Sequence, residues 1–120
     1  MDFQERLKKG KEFENEVFKV FYPYNEIKHS SDLVIWKDNS PIFIEVKSSQ
    51  AIEWQSWLDQ IKIANNGYKV IIVAKDNEII MADWIENISI QPKRKGIKGS
   101  FNDWTILIIR KKLEDLLKEL

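Results

Sequence analysis

The 120-residue chain predicts an α/β fold, a mixed β-sheet flanked by helices in the order α-β-β-α-β-β-β-α. Three observations carry this expectation. Apolar residues recur at helical spacing near both ends of the chain. Between them lie short runs of β-branched and aromatic residues, separated by turn chemistry. One run, Val70-Ile71-Ile72-Val73, lacks polar alternation, as expected of a central strand covered on both faces.

The elements follow in order. Phe3, Leu7, Phe13, Val17, Val20 and Phe21 form an apolar stripe, so a helix is expected over residues 3–21, stopped by Pro23. Gly10 interrupts it, which suggests a close neighbour or an approaching phosphate. Strands follow over residues 32–36 and 42–47, joined by the turn Lys37-Asp38-Asn39-Ser40-Pro41. Residues 48–52 read as a connector. A second helix is expected over residues 53–65, with Trp54, Leu58 and Ile61 inward, together with Trp57 or Ala64. Asn65-Asn66-Gly67 is its stop signal. Strands over residues 68–74 and 78–82 flank the turn at Asp76-Asn77. Residues 88–100 read as a mobile loop. A last strand (104–109) leads to a last helix (110–120), with Leu113, Leu116, Leu117 and Leu120 inward.

The length suits one domain, residues 1–120. A composition of 43% hydrophobic and 32% charged residues excludes disorder. No cysteine is present, so disulfides and thiolate zinc sites are excluded, and an intracellular protein is expected. The charged N-terminus has no signal-peptide pattern, and no apolar run approaches the ~18 residues that span a bilayer. Net charge is zero, yet Lys93, Arg94, Lys95, Lys98, Arg110, Lys111 and Lys112 cluster late in the chain. That asymmetry permits a local phosphate-binding surface; a merely solvated basic loop reads equally well.

The chemistry concentrates in the first hairpin. The tripeptide Glu-x-Lys is weak evidence alone: it occurs twice, at Glu26-Ile27-Lys28 and Glu45-Val46-Lys47. Only the second ends an apolar strand and follows a partner strand that begins with an acid, Asp32. Alternation puts Glu45 and Lys47 on one face and Val46 on the other. Paired strands lie about 4.7–4.9 Å apart, so Asp32 is expected beside the end of the Glu45 strand. Two carboxylates and the Val46 carbonyl make an all-oxygen set of the kind Mg²⁺ prefers, with Mn²⁺ as a substitute. Lys47 is then placed to orient a water or to stabilise charge during phosphodiester hydrolysis. Without the hairpin context, a surface salt bridge is the better reading of such a set.

These residues resemble the motif of the PD-(D/E)xK nuclease superfamily, with Ser31-Asp32 standing where the motif has Pro-Asp. The wider pattern is similar to archaeal-type Holliday junction resolvases, including those of archaeal viruses. Their N-terminal helix has a basic residue, a glycine, three residues and a glutamate; here this reads Lys9-Gly10-Lys11-Glu12-Phe13-Glu14. The resemblance implies a restriction-endonuclease-like fold and metal-dependent cleavage of DNA, most specifically of four-way junctions. It implies Asp32 and Glu45 as metal-binding acids, beside the Val46 carbonyl, and Lys47 as the catalytic lysine; Glu14 falls on the family's helical glutamate and supports the metal, with Glu12 and Glu16 as nearby competitors and an ordinary exposed helix residue as the plain reading. It also implies a homodimer, because symmetric cleavage needs two sites, and no membrane association; a viral protein would work in the host cytoplasm. The pattern departs from the family in having Asn15, where arginine is frequent, after the helical glutamate.

Other residues are expected around that centre. Lys8, Lys9, Lys11, Lys28, Ser30, Lys93, Arg94, Lys95 and Lys98 are candidates for holding phosphates. Gln55 is a candidate on the second helix, although solvated surface is the simpler reading. His29, the sole histidine, reads as a loop residue near DNA or solvent. Trp54, Trp57, Trp84 and Trp104 exceed what a small core hides, which suggests a subunit contact. A nuclease of the same fold with a restriction-like or single-strand substrate fits the same residues. A non-catalytic nucleic-acid-binding module is the alternative of another class, and the intact acids and lysine argue against it.

Overall fold

The computed structural model describes residues 2–21, 33–92 and 104–120. The fold is α/β, with a mixed sheet flanked by helices, as expected. Helix α1 is Phe3–Phe21; strands β1 (Leu33–Lys37) and β2 (Ser40–Lys47) form the first hairpin. Then come β3 (Ala51–Glu53), α2 (Trp54–Asn65), β4 (Lys69–Asp76) and β5 (Ile79–Trp84). A short 3-10 turn (Ile85–Asn87), β6 (Ser89–Pro92), β7 (Trp104–Ile108) and α3 (Leu113–Glu119) complete the described chain.

The main sheet has the order β1-β2-β4-β5, and a smaller one has the order β3-β7-β6. β1 runs antiparallel to β2, with Leu33 opposite Ile44 and Lys37 opposite Ser40. The loop between them is therefore only Asp38-Asn39. Both residues have positive φ, 52° and 63°. This is the left-handed geometry that a tight hairpin needs and that Asp and Asn tolerate. β2 runs parallel to β4, placing Glu45 opposite Ile72 and Lys47 opposite Ala74.

Both faces of the main sheet are covered. On one face, Ile42, Ile44, Ile71 and Val73 pack with Phe13, Val17 and Phe21 of α1 and with Leu113 and Leu116 of α3. On the other, Val70, Ile72 and Ala74 pack with Trp57 of α2 and with Ile52, Ile88 and Leu107 of the second layer. Strand β4 supplies both clusters, and this explains its unbroken apolar run. Gly67, with φ of 91°, ends α2 by donating its N–H to the Ala64 carbonyl at 3.0 Å.

Several expectations are corrected. The connector at 48–52 leads into β3, and the loop at 88–100 begins with β6; both strands are made by pairing to the distant β7. The last helix starts at Leu113 instead of residue 110. The preceding residues instead bind β5, where Ala82 donates its N–H to the Lys111 carbonyl at 3.0 Å. Phe3 and Leu7 are exposed at 67% and 58%, because every buried residue of α1 lies in its C-terminal half. A Cβ added at Gly10 would meet nothing within 4 Å, so no neighbour among the described residues requires that glycine. On α2 the buried residues are Trp57 and Gln60, while Trp54, Leu58, Ile61 and Ala64 are half-buried.

Candidate active site

Glu45 and Lys47 sit two residues apart near the C-terminal end of β2. Their neighbours Ile44 and Val46 pack on the α1 and α3 side, so Glu45 and Lys47 point to the α2 side. There the Lys47 ammonium meets Glu45 Oε1 at 3.1 Å. Gln60 on α2 donates its amide N–H to Glu45 Oε2, also at 3.1 Å. The carboxylate is thus gripped at both oxygens, one from its own strand and one from the covering helix. Its side chain is only 13% exposed, against 28% for Lys47.

Gln60 is the residue that sequence reasoning missed. It lies three positions after Trp57, on the stripe that α2 turns inward, and both are buried. A polar side chain on an apolar stripe was the available signal. A carboxylate only accepts hydrogen bonds, so the amide must present its nitrogen to Glu45. Its other atom, Oε1, is buried and has no hydrogen-bond partner among the described residues. Gln55, for which solvated surface was the simpler expectation, is indeed exposed and donates to Asp59 Oδ1 at 3.1 Å.

Glu14 is half-buried on α1, one residue after Phe13. The Lys75 ammonium lies 5.5 Å from the centre of the Phe13 ring. Lys75 follows Ala74, the partner of Lys47, so this turn of α1 lies toward the same end of the sheet as Lys47. It is nonetheless on the opposite face. No hydrogen bond or ion pair among the described residues joins Glu14 to Glu45 or Lys47. Lys8, Lys9 and Lys11 are exposed along the first half of α1.

Asp32, Lys28, His29, Ser30, Lys93, Arg94, Lys95 and Lys98 lie outside the described residues. What the structure gives for the hairpin is its register: Leu33, the residue after Asp32, pairs with Ile44, the residue before Glu45. Among the described residues, no three acidic or histidine side chains gather as a metal-binding group. The donors present are nonetheless of the right kind for a hard divalent cation. The Glu45 carboxylate and the buried Gln60 Oε1, which has no partner among the described residues, belong to two side chains held together by a hydrogen bond, and all three atoms are oxygens.

The tryptophans divide. Trp57 is core, 6% exposed, which removes it from any contact surface. Trp54 and Trp84 are half-buried against the two clusters. Trp104 is 47% exposed and Trp36 42% exposed. No helix among the described residues is long and apolar enough to cross a membrane.

Comparison with known proteins places the fold. No protein-family model matches the chain, and no curated protein sequence matches it. Among solved structures, it is similar to that of Archaeoglobus fulgidus Hjc, a Holliday junction resolvase from an archaeal hyperthermophile. The TM-score is 0.60 with 12% sequence identity, covering 92% of this chain and 96% of that one. At that identity the likeness is one of fold.

Proposed function

We propose that the chain is a divalent-metal-dependent DNA endonuclease of the PD-(D/E)xK type, acting on four-way junctions as a homodimer. One observation carries the reading: a strand-end carboxylate, Glu45, held between an ammonium and a buried amide, in a fold similar to that of a Holliday junction resolvase.

The residues divide the work. Glu45, Asp32 and the Val46 carbonyl are the proposed holders of Mg²⁺ or Mn²⁺, with Glu14 in support. When bound, the ion would supply Lewis acidity, polarising the phosphate and easing the loss of a proton to solvent from the attacking water. Lys47 has three N–H donors, and Glu45 engages one oxygen of its own. Donors therefore remain to neutralise a phosphate oxygen as negative charge grows on it. Gln60 fixes the rotamer of Glu45 without adding charge, leaving the pair Glu45–Lys47 neutral overall. Lys8, Lys9 and Lys11 are exposed cations suited to the backbone of an approaching DNA arm, and Lys28, Ser30, Lys93, Arg94, Lys95 and Lys98 are proposed for the same task.

The test is side-by-side cleavage of labelled four-way junction, duplex, flap and single-stranded DNA, with and without Mg²⁺. Metal-dependent cuts on opposing strands of the junction, exceeding those on the duplex, are expected. No cleavage of any DNA with either Mg²⁺ or Mn²⁺ would overturn the reading.

A further inference from the structure

Beside the Glu45–Lys47 pair opens a cleft of about 460 Å³, lined by Lys47, Ser48, Ser56, Glu53 and Trp104 among others. We propose that this cleft takes one unpaired nucleotide of the DNA strand, with its base against the Trp104 ring and its phosphate at the Lys47 end. The proposal rests on the nuclease reading above and deepens it by naming what the site holds next to the scissile phosphodiester.

Four observations point there. The chain runs from Lys47 directly into Ser48, so the cleft opens off the candidate site with no element between them. Its volume falls in the range of about 300–1,000 Å³ typical of small-ligand sites, room for a nucleotide but not for a duplex. Its lining is mixed in character. Lys47 and Ser48, at the end of β2, carry donors suited to a phosphate. Glu53 and Trp104 are register partners across β3 and β7, at the far end of β3 from Ser48. Lastly, Trp104, one of the residues lining the cleft, is 47% exposed.

The polarity orients the guest. Glu53 repels a phosphate, so the phosphate belongs at the lysine end. A carboxylate beside an aromatic face suits a base instead, because it accepts from an exocyclic amino group while the ring stacks. Stacking on a single aromatic tolerates every base, in keeping with recognition of structure over sequence. Among the serines, Ser49 already donates to the Ala51 carbonyl at 3.3 Å. Ser48 and Ser56 are the hydroxyls on which sugar and phosphate oxygens would rest. A paired base keeps its neighbours in the helix stack and cannot enter, so the cleft rewards DNA with a nucleotide already out of the stack.

The experiment is equilibrium binding without divalent ions to two DNAs of equal length, a perfect duplex and one carrying a single unpaired 2-aminopurine. Wild-type protein should quench the fluorescence of the unpaired 2-aminopurine. Trp104→Ala should abolish the quenching and weaken binding to that DNA about tenfold, in line with the loss of one base–aromatic stack. Trp104→Phe should restore most of the binding, which separates stacking from any loss of folding, and duplex binding should change less than twofold in either variant. Equal losses on both DNAs, or quenching that survives Trp104→Ala, would overturn the proposal. Cleavage by the wild type is scored separately. Quenching without cleavage would leave the cleft and remove the nuclease, and cleavage without quenching would do the reverse.

Discussion

Gln60 reaches from the inward face of α2 to Glu45 Oε2 at 3.1 Å, and Lys47 holds Glu45 Oε1 at the same distance. The two grips differ in kind. Lys47 is on the same strand and partly exposed, so it can turn toward a substrate. Gln60 is only 7% exposed, buried like Trp57 on the same helix, so it stays beneath the surface. Gln60→Met keeps most of the volume and removes both the donor and the buried oxygen Oε1. Partners that orient a ligand typically contribute 10–100-fold to metal affinity or activity. The expected outcome is a rise of about tenfold or more in the Mg²⁺ concentration for half-maximal cleavage, with little change in melting temperature. A variant with an unshifted metal requirement would leave Gln60 as packing only.

Glu45→Gln should abolish cleavage while preserving the fold, because the strand position and a hydrogen-bonding partner for Gln60 both remain. DNA binding should persist or tighten, since a negative charge near phosphate is lost. Asp32→Asn should behave likewise. Lys47→Met should reduce cleavage about a hundredfold or more if its ammonium stabilises developing charge, the usual scale for loss of one such donor. Single-turnover rates at saturating Mg²⁺, read beside a filter-binding isotherm, check all three. Full activity in any of them would remove that residue from the site.

Much of this was legible in the sequence. Alternation in Ile42-Phe43-Ile44-Glu45-Val46-Lys47 fixes which side chains share a face, and the unbroken apolar run at residues 70–73 marks a strand covered twice. These are local signals with a period. Strands β3 and β6 are three and four residues long, too short for a period to show, and they exist because β7 pairs with both. Phe3 and Leu7 continue the stripe of α1 correctly, but periodicity shows only which side is apolar, never how far the layer beneath extends. Gln60 was hidden for a related reason. Its role depends on how α2 lies across β2, a tertiary relationship that places Gln60 over Glu45 and turns Gln55 toward solvent.

The exposed lysines of α1 give a prediction about salt. Each phosphate neutralised on duplex DNA contributes about 0.9 to the slope of log affinity against log salt concentration. If Lys8, Lys9 and Lys11 all contact backbone, their joint replacement by alanine should flatten the slope by between two and three. The loss should be the same for unrelated sequences, because phosphate contacts carry no base information. Binding isotherms at several salt concentrations on two unrelated duplexes would check this. An unchanged slope would mean that DNA does not lie along α1.

A last prediction concerns pH and the latch of α3. Lys111 is bonded to Glu119 and also lies 3.7 Å from Asp83 Oδ1. The Trp84 indole N–H donates to Glu119 Oε2 at 3.2 Å. The end of α3 is thereby tied to the edge strand β5. The hydrogen bond from Lys111, aided by the Trp84 indole, holds the Glu119 carboxyl below its usual value of 4.5. The hydrogen bond to Glu119 raises Lys111 above 10.5, outweighing the opposing effect of partial burial, and the charge of Asp83 adds to the rise. The signs follow from linkage. Glu119, with its folded value lowered, contributes stability that is present above its unfolded value and is lost as pH falls through the folded one. Lys111, with its folded value raised, contributes stability that is full below its unfolded value and is lost as pH rises through the folded one. The latch therefore works from above about pH 4.5 to below about pH 10.5 and fails at both edges. Both side chains are partly exposed, so the effect is modest and screened by salt. Glu119→Gln should lower the melting temperature near neutral pH, and its curve should converge on that of the wild type as the pH falls through the lowered value of Glu119. Added salt should narrow the gap at neutral pH. A gap that stays constant through the acid range would mean that Glu119 acts by packing and not by charge.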